Sequence, residues 1–166
     1  MKKVVITGAS GSGKTTLITA LQYRGYPIVP EAARMVVANY NVDPGSKRQK
    51  LIFNTQIALE RHVCKELTFL DRSILDGLVY ARFYKATFPN PNEYLQRASY
   101  YSTVFLLSLP PISTHPKREE TYEESLSIES MLSKEYINRG FRVFEIPFLP
   151  LVQRIKEIES ELQCSS

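Results

Sequence analysis

A chain of 166 residues and 19.0 kDa is long enough to bury its own core and short enough for one domain spanning 1–166. Hydrophobic residues at 43% and charged residues at 23% exclude a disordered or fibrous protein, and no apolar stretch approaches the length of a membrane span. The two cysteines, Cys64 and Cys164, are too sparse for a secreted disulfide scaffold and lack zinc-site spacing, while a net charge of +4 suits small anionic ligands better than nucleic acid.

Met1-Lys2-Lys3-Val4-Val5-Ile6 reaches Thr7-Gly8 after three apolar residues, too few for a signal-peptide core, so the expected location is cytoplasmic. Lys3 to Thr7 is a β-branched run that reads as a strand, and Gly13 to Tyr23 reads as a helix stopped by Gly25 and Pro27. Tyr26 to Pro30 gives a brief second strand, and Glu31 to Tyr40 a helix broken by Asn41-Val42-Asp43-Pro44-Gly45. Ser46 is placed to cap a helix from Lys47 to Glu66 with Ile52, Leu59 and Val63 on one face, after which Leu67 to Leu70 is a buried strand leading into Asp71.

Ile74 to Ala86 carries Leu75, Leu78, Val79 and Phe83 at helical spacing behind a capping Ser73. Pro89 and Pro91 then turn the chain toward a short helix at Asn92 to Ala98. Thr103 to Leu107 is another apolar strand, stopped by Leu109-Pro110-Pro111, and the polar stretch up to Thr121 is expected to be mobile. A long helix from Tyr122 buries Ile128, Met131, Leu132 and Tyr136 until Gly140 ends it, and Phe141 to Ile146 forms the last strand. Leu151, Ile155, Ile158 and Leu162 make the stripe of a surface helix laid on a sheet. Strands alternating with helices imply a three-layer α/β/α fold around a five-stranded parallel sheet, with ligands outside the carboxyl ends of the strands.

Gly8-Ala9-Ser10-Gly11-Ser12-Gly13-Lys14-Thr15 sits between the first strand and the first helix. Glycine there lets the backbone turn tightly and aim its N–H groups at phosphate oxygens, Lys14 can reach the outer phosphates, and the Thr15 hydroxyl can ligate Mg²⁺. The helix behind the loop turns its positive end to the anion. A glycine turn with a solvated lysine is the competing reading, and the strand-to-helix context argues against it. The expected ligands are ATP or GTP with Mg²⁺, held by Gly8, Ser10, Gly11, Ser12, Gly13, Lys14, Thr15 and Thr16 in a P-loop NTPase fold. Asp71, at the end of a second buried strand, is the candidate second metal ligand through a Mg²⁺ water. The alternative for Asp71 is a helix N-terminal acid paired with Arg72.

The string Asp71-Arg72-Ser73-Ile74-Leu75-Asp76-Gly77-Leu78-Val79-Tyr80 is similar to thymidylate kinases, whose Asp-Arg pair follows the third strand. Together with Gly25-Tyr26-Pro27-Ile28-Val29-Pro30-Glu31-Ala32-Ala33-Arg34, and with Tyr136 to Val143 and Ile146-Pro147 before an arginine-bearing helix, it resembles the NadR-like AAA-domain family. That family includes nicotinamide riboside kinase domains and uncharacterised ATPases, and the likeness runs over nearly the whole chain.

The resemblance implies a nucleotide-kinase-like enzyme with Glu31 beside the acceptor hydroxyl, where a carboxylate could orient or deprotonate the attacking oxygen. A helix-stabilising first-turn acid is the plainer role for Glu31. Arg34 and Arg72 would bind an anionic acceptor or the transferred phosphoryl group, with ordinary ion pairs as the alternative. Asp76 is a candidate for a ribose hydroxyl, against a solvated helical acid. A lid-like segment is expected around 109–121, where Arg118 would close over the phosphates unless Glu119-Glu120 neutralise it. Phe148 in Pro147-Phe148-Leu149-Pro150 is either a surface beside the nucleotide base or a core aromatic. His62 and His115 lack partners at metal-ligand spacing, and no hydrolase triad stands out.

The implied function is phosphoryl transfer from a nucleotide donor to a small nucleoside- or nucleotide-like acceptor. A nucleotide-dependent ATPase or GTPase switch acting through a protein partner is the second reading. No heptad seam or large apolar patch fixes an oligomeric state, which leaves a homo-oligomer open.

Overall fold

The structure, a computed structural model, describes residues 2–43, 45–61, 66–90, 101–111 and 120–164. The β-branched run after Lys3 makes the central strand, β1 (Lys2–Thr7), whose Val4, Val5 and Ile6 are all fully buried. A strand hidden on both faces has no polar alternation, which is why this run reads as continuously apolar. β1 lies between β3 (Leu67–Asp71) and β4 (Tyr101–Leu107). β2 (Ile28–Val29) and β5 (Val143–Ile146) complete a five-stranded sheet of order β2-β3-β1-β4-β5, with every pair parallel.

Six described helices cover the two faces: α1 (Lys14–Tyr23), α2 (Ala32–Asn39), α3 (Ser46–Arg61), α4 (Ile74–Phe83), α5 (Tyr122–Asn138) and α6 (Leu151–Cys164). On one face Leu17 and Leu21 of α1 and Ile155 and Ile158 of α6 pack on Val4, Ile6, Phe69 and Phe105. On the other, Leu75 and Val79 of α4 and Ile128, Leu132 and Tyr136 of α5 pack on Val5, Leu70 and Val104. The three-layer α/β/α expectation therefore holds. The connections leaving β1 and its neighbour β4 run to opposite edges of the sheet, and that reversal opens a crevice at the strand carboxyl ends.

Several boundaries differ from the sequence reading for local reasons. β2 is confined to two residues, because the flanking Pro27 and Pro30 have no N–H to add to the ladder. Ser46 is the first residue of α3 rather than its cap, and its hydroxyl accepts from Thr87 N at 3.1 Å. α3 buries Phe53, Gln56, Ile57 and Glu60, a different stripe from the one expected, with Ile52 and Leu59 only half-buried. α4 stops at Phe83, before Lys85 takes a positive φ of 53°. Ser73 caps α4 as expected, and it does so in a capping box with Asp76. The helix expected at 92–98 and His62, Val63, Cys64, His115 and Arg118 lie outside the described residues.

Candidate functional site

β1 delivers the chain into the glycine loop at a point where only glycine fits. At Gly8, with φ +143°, an added Cβ would meet Leu107 O at 2.6 Å and Ser12 Oγ at 2.8 Å. Gly13, with φ +86°, turns the loop into α1. Lys14, the first helical residue, bends back over the loop, its Nζ donating to Gly8 O at 2.7 Å, Ala9 O at 2.8 Å and Ser12 Oγ at 3.3 Å. Burial, and then the Arg72 guanidinium, pull its pKa down to about 7 against the opposing pull of Glu31, Asp71 and Asp76. Thr15 and Thr16 stand exposed at the start of α1, and Thr15 Oγ1 accepts from Arg34 Nη2 at 3.0 Å.

The loop is braced from below by a residue the sequence reading did not single out. Arg154 of α6 donates from Nη1 to Ser12 O at 2.8 Å and from Nε to Leu149 O at 2.6 Å. Its guanidinium lies 4.5 Å from the centre of the Phe148 ring. Phe148 is 47% exposed, so the core reading of that aromatic does not hold. The available signal was an arginine on the same helical face as Leu151, Ile155 and Ile158.

The acidic half of the site comes from the ends of β2 and β3. Asp71 closes β3 opposite Ile6, buried, with Oδ1 lacking a hydrogen-bond partner among the described residues. Burial and the Glu31 charge push its pKa up to about 6, against Arg72 and Lys14. The hydrogen bonds of Arg72 go elsewhere. Arg72 holds φ +72° between β3 and the α4 cap, where Nε donates to Glu31 Oε1 at 2.8 Å, Nη1 to Gly8 O at 3.4 Å and Nη2 to the Tyr80 hydroxyl at 3.3 Å. Glu31 is the N-cap residue of α2 but makes no side-chain cap bond. It accepts instead from Arg72, and at 3.2 Å from Arg34 Nη2. Burial pushes the Glu31 pKa up, and Arg72, Lys14 and Arg34 outweigh it, so the group stays below its usual value.

Asp76 departs from the solvated helical acid of the sequence reading. It is 1% exposed. Its Oδ1 accepts from Thr7 Oγ1 at 2.5 Å and its Oδ2 from Ser73 N at 3.0 Å and the Tyr136 hydroxyl at 2.5 Å. Arg72 Nη1 stands 3.5 Å from Oδ1 as well. Both oxygens are thus occupied by protein, and the group ties the end of β1, the α4 cap and Arg72 together.

Beside the loop, α2, α3 and α4 enclose a cleft of about 620 Å³. Ser10, Glu31, Arg72 and Asp76 line it together with Phe53, Gln56, Tyr80 and Phe88. Phe53 and Phe88 meet edge to face at 5.1 Å. Arg34 is not part of the lining, and Glu120, which is, accepts from the Tyr84 hydroxyl. Gln56 was also missed from the sequence, where the signal was a polar pair, Gln56 and Glu60, one turn apart on the face carrying Phe53 and Ile57.

The donor set fits Mg²⁺, a hard cation that prefers oxygen: an orphaned buried carboxylate oxygen on Asp71 and the Thr15 hydroxyl beside the loop.

Fold and site together define a P-loop NTPase of nucleotide-kinase-like architecture. The chain belongs to the AAA domain family, whose model matches residues 3–154. NadR in complex with NAD and AMP-PNP aligns over 94% of this chain at 22% identity and a TM-score of 0.67, with this chain spanning 49% of that one. Deoxyadenosine kinase from M. mycoides, with the products dCMP and dCDP bound, aligns over 99% of this chain and 100% of its own at 17% identity and a TM-score of 0.59. Thymidylate kinase from Candida albicans does so over 99% and 93%, at 14% identity and a TM-score of 0.62. No curated protein matches the chain. The resemblance to NadR-like and thymidylate kinase-like proteins therefore holds at the level of the fold. Among the described residues no helix is long and apolar enough to cross a membrane.

Proposed function

We propose that the protein is a phosphotransferase that moves the γ-phosphoryl group of ATP, or GTP, to a hydroxyl of a nucleoside- or nucleotide-like small molecule seated in the cleft between α2, α3 and α4. The observation that carries this reading is the Glu31–Arg72 pair, 2.8 Å apart, at the point where the cleft meets the glycine loop. A carboxylate held below its usual pKa is ionised at neutral pH and can accept the proton of an attacking hydroxyl. The acceptor oxygen forms the new bond to phosphorus, the bond to the β-phosphate oxygen breaks, and the nucleoside diphosphate leaves with the electron pair. Arg72 then lies where negative charge moves during transfer, and Lys14 exchanges its loop oxygens for those of the β- and γ-phosphates. Thr15 and Asp71 would hold Mg²⁺, which neutralises phosphate charge when bound. Arg34, exposed between Glu31 and Thr15, and Arg118 of the lid-like segment are proposed as further cations on the phosphates. The substrates named for the deoxyadenosine and thymidylate kinases support a nucleoside-like acceptor.

An acceptor screen with γ-labelled ATP tests this, comparing the natural protein with Lys14→Ala and Glu31→Gln. Label transferred to a nucleoside or nucleotide, and lost in both variants, is the expected result. Slow hydrolysis that depends on Lys14, with no labelled acceptor, would instead support the nucleotide-switch reading.

A further inference from the structure

The buried face of α3 carries two polar side chains one turn apart, Gln56 at 3% and Glu60 at 6% exposure. Neither is used by the phosphoryl-transfer reading. Tyr101, at the start of β4, donates its hydroxyl to Glu60 at 2.9 Å to Oε1 and 2.7 Å to Oε2. Gln56 Nε2 donates to Glu60 Oε1 at 2.9 Å and, on its other side, to Arg72 O at 3.4 Å. A carboxylate facing a donating tyrosine, and a backbone carbonyl, can only accept. Turning the Gln56 amide over would set its oxygen against both acceptors, so one orientation is imposed by the network.

That orientation uses both N–H groups of Gln56 on protein and leaves its carboxamide oxygen. Among the described residues none donates to this oxygen, and Gln56 lines the cleft. Phe53 and Phe88 line the same cleft and present apolar ring surface suited to a flat ring. Gln49 lines it too, but no described group clamps its amide, so it can offer either end to a ligand.

We propose that Glu60 and Tyr101 lock Gln56 as a hydrogen-bond acceptor in the cleft, making the site selective for acceptor molecules whose ring edge bears an N–H donor. The inference rests on the acceptor reading of the cleft and specifies its ligand. A ring with hydrogen in place of the amino group would displace water from this oxygen and leave it unpaired, which is costlier than never having built the polar site.

The test is calorimetric titration of the full chain, with Mg²⁺ and a non-hydrolysable ATP analogue present, using matched nucleosides. Adenosine is compared with purine riboside and cytidine with 4-deoxyuridine, each pair differing only in the exocyclic amino group. The expected result is tighter binding of the amino member by about tenfold in at least one pair, with the ratio brought toward unity in Glu60→Gln, whose amide no longer fixes its neighbour. Equal binding within every pair that binds overturns the inference and leaves the acceptor reading standing. A tenfold ratio retained in Glu60→Gln overturns the locking role. Binding of the ATP analogue with no nucleoside binding at all overturns the acceptor reading and the inference together.

Discussion

Lys14 and Asp71 both have their chemistry altered by burial beside opposite and like charges. Lys14→Ala removes the cation proposed to reach the outer phosphates and is expected to lower transfer of labelled phosphate by roughly 10²–10³-fold, as loss of a transition-state donor commonly does. For Asp71 the sign of the pH effect follows from its raised pKa. The folded protein holds the Asp71 proton up to about pH 6, whereas the unfolded chain releases it near the ordinary 3.8. Stability measured without Mg²⁺ or nucleotide therefore falls as pH rises through that interval, because folding then forces a charge into a buried site. Denaturant titrations across this range should show a shallower fall in Asp71→Asn. They should also show a stability gain on the order of 1–3 kcal/mol at pH 7, alongside loss of Mg²⁺-dependent nucleotide binding. Glu31 works in the opposite direction, since its depressed pKa adds stability above its ordinary value that is lost on acidification. Lys14 was legible in the sequence because the spacing of glycines around it is a local signature. The burial of Asp76 was not, because the donors that saturate it, Thr7 and Tyr136, come from 69 and 60 residues away.

At the scale of elements, the phosphate loop is a joint between β1, α1 and α6 rather than a free turn. Gly13→Ala would place a Cβ 2.9 Å from Arg154 Nη1 while forcing an L side chain to φ +86°. The expected cost is on the order of 1–2 kcal/mol from the left-handed backbone alone. Weaker Mg-ATP binding should accompany it, since Arg154 can yield only by releasing Ser12 O or Leu149 O. Urea denaturation and a nucleotide titration of the same variant would read both effects. Tyr136→Phe tests the other joint, where α5 meets the α4 cap. Removing the hydroxyl takes a donor from buried Asp76 and a partner from Ser73 Oγ at 2.6 Å, and about 1–3 kcal/mol of stability should go with it. Helix and strand existence could be read from apolar periodicity throughout the described chain. The misplaced stripe of α3 has a physical cause: its buried face uses Gln56 and Glu60, which a search for apolar residues passes over.

For the whole molecule, parallel strands from distant parts of the chain bring Thr7, Glu31 and Asp71 together at the strand carboxyl ends. A ligand gripping that end should stabilise the entire sheet. Mg-ATP at about a hundred times its Kd is expected to add roughly 2.7 kcal/mol of apparent stability by mass action, read as a rise in Tm that Lys14→Ala abolishes. GTP in the same assay distinguishes the donor. By itself the sequence determined the alternation of strands and helices, the parallel sheet and the phosphate loop, because each rests on local patterns: β-branched runs, glycine spacing and caps within a few residues. Only the tertiary structure decided that Arg72 serves Glu31 rather than Asp71, that Arg154 braces the loop, and that Gln56 and Asp76 are buried with their polar atoms assigned. Those outcomes depend on which groups meet across the sheet and on how little water reaches them, and neither is recorded in residue spacing.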